Sequence, residues 1–141
     1  MLIELAVTVL LVGLTIAIHY EALRTISGLL PSLTLPKRAR IIVVMLGAFL
    51  AHTIEILLFT LAYYVLVHHL GTGSIKGVFD GSFYDYFYFS ISTYTSLGIG
   101  DVYPEGKLRL LAGMQTLTGL MMITWTASFA YLEMRTLWGS R

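Results

Sequence analysis

The sequence predicts an all-α membrane protein with three transmembrane helices and a fourth, shorter helix that enters the membrane without crossing it. Three observations predict it. The 141 residues are 57% hydrophobic and 12% charged, with a mean hydropathy of +0.80, far from the balance of a chain with a polar surface. Residues 2–23, 41–67 and 108–132 are apolar stretches long enough to cross about 30 Å of hydrocarbon at about 1.5 Å per residue. Residues 68–107 are too apolar and aromatic for an ordinary loop.

The first element, residues 1–30, is an extra N-terminal transmembrane helix. It starts Met1-Leu2-Ile3-Glu4, without a basic leader or a small-residue cleavage site, so it is expected to stay in the mature protein. Residues 31–40 are expected to form a basic cytoplasmic loop, with Pro31 and Pro36 as breakers and Lys37, Arg38 and Arg40 before the next helix. The positive-inside rule then puts the N-terminus and residues 68–107 outside, and Arg135, Arg141 and the C-terminus in the cytoplasm. Tyr63, Tyr64 and Trp138 are expected at the membrane interfaces.

Within the outward segment, residues 71–81 are glycine-rich and turn-like. Residues 83–94, Phe-Tyr-Asp-Tyr-Phe-Tyr-Phe-Ser-Ile-Ser-Thr-Tyr, contain neither proline nor glycine and predict a helix over residues 82–95. Ser82 and Asp85 have the spacing of a capping box. At about 20 Å this helix is too short to span the bilayer. It must therefore lead into backbone that is buried in protein or lines water.

Some function classes drop out. The net charge is +1 and the basic residues are scattered, so there is no footprint for nucleic acid. No cysteine is present, which excludes disulfides, thiolate metal sites and thiol catalysis. No array of regularly spaced arginines supports voltage sensing, and no enzyme motif is present.

After the short helix comes Thr93-Tyr94-Thr95-Ser96-Leu97-Gly98-Ile99-Gly100-Asp101-Val102-Tyr103-Pro104. This stretch resembles the pore signature of potassium channels, Thr-x-x-Thr-[Thr]-Val-Gly-Tyr-Gly-Asp. It is similar in particular to small bacterial channels grouped with the two-pore-domain potassium channels, with one pore loop per chain. The resemblance covers residues 41–135 and implies an ion-channel pore domain. Its parts would be an outer helix at 41–67, a pore helix at 82–95, a selectivity filter at 95–101 and an inner helix at 108–132, assembled as a four-fold homotetramer in a bacterial inner membrane among lipids.

Such a filter replaces a cation's water shell with stacked backbone carbonyls, and glycine at Gly98 and Gly100 lets consecutive carbonyls turn to one side. The resemblance implies potassium ions at Ser96, Leu97, Gly98 and Ile99, with no other cofactor. Thr95 lies at the inner end of the filter and Asp101 just outside it. Here Ser96, Leu97 and Ile99 stand where the family has threonine, valine and tyrosine. The alternative reading is therefore a weakly selective sodium and potassium channel. Tyr88 is expected to support the filter by bonding Asp101. Register with the family puts Gly119, Met121, Thr124 and Ser128 on the cavity side or hinge of the inner helix. No room is left for a soluble regulatory domain, so a gate is expected in the filter, the inner helices or a partner.

Glu55, near the middle of the second helix, is expected to face protein and be paired or protonated, with His52 on the same face and His19 within reach. Three readings stay open for this trio: a buried polar tie, a proton sensor, or metal or haem ligation by His19 and His52. The last would make the chain a non-conducting membrane protein that binds haem or a partner.

Overall fold

The computed structural model describes residues 2–139; Met1 and Arg141, which enter the orientation expected above, lie outside the described residues. The chain runs through α1 (Leu2–Leu29), a short 3-10 turn (Leu30–Ser32), α2 (Lys37–His68), β1 (Gly73–Gly77), α3 (Phe83–Tyr94), β2 (Val102–Gly106) and α4 (Leu108–Trp138).

Proline decides where α2 starts. Pro36 is its N-cap, with φ −60° and an extended ψ of 149°, and its carbonyl accepts from Ala39 N at 2.9 Å. This corrects the basic loop expected over residues 31–40 and the helix start at 41: Lys37, Arg38 and Arg40 belong to the first turn of α2. Proline costs nothing at a position whose N–H would have no helical partner. Arg40 also shapes the turn before it, donating from Nε to Leu35 O at 3.1 Å and from Nη2 to Leu33 O at 2.8 Å.

The glycine-rich stretch is more than a turn. β1 pairs antiparallel with β2 in the register Gly73↔Gly106 to Gly77↔Val102, so the segments before α3 and after the filter motif are stitched together. Gly77 makes this possible: its φ is +106°, and a Cβ there would sit 1.9 Å from Asp101 O.

α3 is 12 residues, about 18 Å long. At its start the Ser82 hydroxyl accepts from Asp85 N at 3.2 Å, half of the expected capping box. The other half differs: Asp85 Oδ2 accepts from Asp80 N at 2.7 Å, and Ser82 N is taken by Asp80 Oδ1 at 2.8 Å.

α1 packs against α2 and α4, and α3 is wedged between α2 and α4. The largest buried cluster gathers Phe59, Leu66, Tyr86, Phe89, Leu108 and Leu111. Tyr63 belongs to this core rather than to an interface: it is fully buried, with its hydroxyl donating to Gln115 Oε1 at 2.8 Å. A buried phenol needs such a partner. Large apolar side chains also cover the outside of the bundle, among them Val9, Leu10, Phe49, Leu50 and Leu117. Among the described residues, the stretches Glu4–Ser32 and Lys37–His68 are long and apolar enough to cross a membrane. α4 has the length, at 31 residues, but is less apolar.

Candidate functional site

Beyond Tyr94 the helix unwinds without wasting its carbonyls. Thr95 N and the Thr95 hydroxyl both donate to Ile91 O, at 3.0 and 2.7 Å, Leu97 N donates to Ser92 O at 2.9 Å, and Ser96 N to Thr93 O at 3.1 Å. From there the backbone alternates: Ser96, Gly98 and Gly100 have φ of 54°, 53° and 89°, while Leu97 and Ile99 do not have positive φ. Alternating the sign of φ at successive residues turns neighbouring peptide groups to the same side instead of opposite sides. Residues Thr95 to Gly100 are all exposed in the single chain, with Leu97 and Ile99 at 60% and 63%.

The far end of the segment is anchored. Asp101 accepts from the Tyr88 hydroxyl at 2.9 Å through Oδ2 and from Val102 N at 3.1 Å through Oδ1, while its carbonyl accepts from Val78 N at 2.8 Å. The carboxylate holds the Tyr88 phenol above its ordinary value, so Tyr88 stays a donor. The expected Tyr88–Asp101 contact is present.

A family model described as ion channel matches residues 51–132, more than half of the chain, taking in this segment, all of α3 and most of α2 and α4. The chain belongs to this ion-channel family. No curated protein and no solved structure matches it. An ion-channel family is not an enzyme family, and its members are membrane proteins, in keeping with the two long apolar helices of this channel.

In the channel, α4 holds α3 from behind. Gln115 Nε2 donates to Ser90 O at 3.1 Å and Ser90 Oγ at 2.8 Å, and the Thr116 hydroxyl donates to Thr93 O at 3.1 Å. Gly119 does not face the cavity side but packs against α3. It is buried, α4 runs unbroken through it, and a Cβ there would lie 2.0 Å from Tyr94 O. Met121, Thr124 and Ser128 do share an open face, along an apolar groove with Leu120 and Trp125. The Thr124 and Ser128 hydroxyls donate to Leu120 O and Thr124 O of their own helix.

The second polar site lies under Tyr94. His19 and Glu55 have no exposed surface, and Glu55 Oε1 meets His19 Nδ1 at 2.8 Å. Glu55 Oε2 is hydrogen-bonded to the Tyr94 hydroxyl and lies 3.4 Å from His52 Nδ1. His52 Nδ1 meets the Tyr94 hydroxyl at 2.9 Å and its Nε2 meets Thr126 Oγ1 at 2.9 Å, while Thr126 Oγ1 lies 3.2 Å from His19 Nε2. Sequence reasoning brings His19, His52 and Glu55 together but misses Tyr94 and Thr126, because a hydroxyl on another helix leaves no spacing signal.

Haem does not fit between the histidines. Their ring centroids are 5.1 Å apart, His19 also packs 5.3 Å from the Trp125 ring, and all four imidazole nitrogens are engaged. Ligand atoms of His19, His52 and Glu55 lie within 4.8 Å of one another, yet they are committed to hydrogen bonds inside the cluster.

Proposed function

We propose that this ion channel is a passive, potassium-favouring cation channel, with residues Thr95 to Asp101 of four identical chains forming its filter. The observation that carries the reading is the alternation of positive φ at Ser96, Gly98 and Gly100. Such backbone offers a row of carbonyls to one axis, and a dehydrated cation needs those oxygens from several sides at once. Potassium ions would lie at Ser96, Leu97, Gly98 and Ile99, with no other cofactor.

Three membrane-crossing helices complete the reading, α1, α2 and α4, with α4 lining the pore through Met121, Thr124 and Ser128. Its lower hydropathy suits a helix with one face on water and another on protein. The basic first turn of α2 is cytoplasmic, the filter and the N-terminus face outward, and the C-terminus returns inside. The membrane is a bacterial inner membrane, whose lipids cover the exposed apolar sides of α1 and α2.

A second reading, weak selection between sodium and potassium, is favoured by one observation. Ile99 is 63% exposed and carries no hydroxyl with which to tie the filter wall to α3. Purified protein in lipid vesicles distinguishes the two. Potassium flux well above sodium flux is the expected result, equal fluxes support the second reading, and flux of neither ion overturns both.

A further inference from the structure

Five side chains from four helices close a ring: Glu55 to His19, His19 to Thr126, Thr126 to His52, His52 to Tyr94, and Tyr94 back to Glu55. Each of the five links needs one hydrogen and one lone pair. The two hydroxyls supply one hydrogen each and two neutral imidazoles supply one each. With Glu55 ionised, the ring is therefore one hydrogen short, and two lone pairs face each other in a buried site.

A fifth proton satisfies every link. If Glu55 holds it, all five donors point the same way round the ring, in either sense. If a histidine holds it, the donors run from that imidazolium in both directions and end on the two oxygens of the Glu55 carboxylate. A sixth proton has no acceptor within the ring: with both histidines charged, Thr126 Oγ1 accepts from both Nε2–H groups and turns its own hydrogen out, and the buried site carries an uncompensated positive charge that favours opening it. The ring thus has one preferred proton count and is sensitive to acid.

Among the described residues, the groups that face it are few. α1 contributes His19, α2 His52 and Glu55, and α3 Tyr94, while α4 contributes Thr126 and the Trp125 ring, neither of which titrates. Glu21 and Arg24 bond each other at the surface of α1, and the Tyr63 and Tyr88 hydroxyls are taken by Gln115 and Asp101. Tyr94 is the last residue of α3, its carbonyl is packed against Gly119, and Thr95 follows it directly.

We infer that the ring is a proton-operated latch on the pore helix, closed around Tyr94 at five protons and opened by a sixth, so that acid lowers conduction. The inference rests on residues 95–101 being the conducting filter. Histidine changes charge between about pH 5 and 8, and couplings between sites typically run about 5- to 150-fold.

Potassium flux from vesicles is measured from pH 8 to pH 5 for the native chain, Thr126→Val and Thr126→Ser. The native flux is expected to fall at least about fivefold toward acid, Thr126→Ser to keep this profile and Thr126→Val to flatten it. Native flux that is unchanged or higher at pH 5 overturns the latch, as does a Thr126→Val variant with the native profile. Absence of flux at every pH is a failure of the pore reading instead. The ring is then read by nitrogen NMR of labelled histidine in lipid nanodiscs. His19 and His52 changing together at one midpoint is the expected result; separate midpoints, or none between pH 5 and 8, overturn the ring.

Discussion

Residues 96–100 and the ring of His19, His52, Glu55, Tyr94 and Thr126 adjoin each other at the end of α3, and they differ in what one chain can complete. In the ring, both oxygens of Glu55 and all four imidazole nitrogens have partners inside the same chain. In the filter segment the side chains and backbone from Thr95 to Gly100 are exposed, and the unusual φ values at Ser96, Gly98 and Gly100 are held by anchors at either end. Positive φ costs the glycines little but strains Ser96, and such strain persists only where the surroundings impose it and collects at functional sites. The ring is thus a finished internal structure, whereas the exposed segment is, on the proposed reading, one side of a filter that further copies of the chain complete.

If that contrast is right, damage to the ring should appear first as lost stability and damage to the filter first as lost conduction. The largest expected effect is Glu55→Ala, which leaves His19 and the Tyr94 hydroxyl buried without their acceptor. Removing one partner of a buried ionic contact costs about 3–5 kcal/mol, readable as a lower melting temperature in detergent. Gly98→Ala comes next and should behave oppositely. Its φ of +53°, with only an ordinary 3.8 Å contact between an added Cβ and Ser96 O, means strain of only about 1–2 kcal/mol per chain, yet potassium flux should be lost while melting changes little. A Gly98→Ala channel with native flux would break the comparison.

Tyr88→Phe should act more mildly, removing one donor from Asp101 at the outer end of the filter. Melting should hold, and the sodium-to-potassium flux ratio should rise; an unchanged ratio would mean that the Tyr88–Asp101 bond does not stiffen the filter. The smallest effect is expected for Lys107→Gln. Its bond to Glu4 Oε1, at 3.0 Å, ties α1 to the start of α4, but Lys107 is 58% exposed and such pairs contribute little. Native flux and melting are the expected outcome.

Much of this was legible in the residues because local chemistry decided it. Ser82 capped α3, and the family resemblance put Tyr88 beside Asp101, whereas Pro36, read as a breaker inside a loop, proved to be the N-cap of α2. The His19, His52 and Glu55 layer followed from the cost of a carboxylate inside a membrane helix. What stayed hidden depended on distant pairing. β1 and β2 are five-residue strands separated by a helix, with no alternation of apolar and polar residues to announce them. Tyr94 and Thr126 read as ordinary residues of their own helices until packing brought them beside His52. The left-handed conformation of Ser96 had no cue either, since positive φ is expected of glycine.

Completion of the filter by other copies of the chain is tested most directly by the mass of the purified protein in detergent. Four chains per particle is the predicted result; a stable monomer or dimer would contradict it.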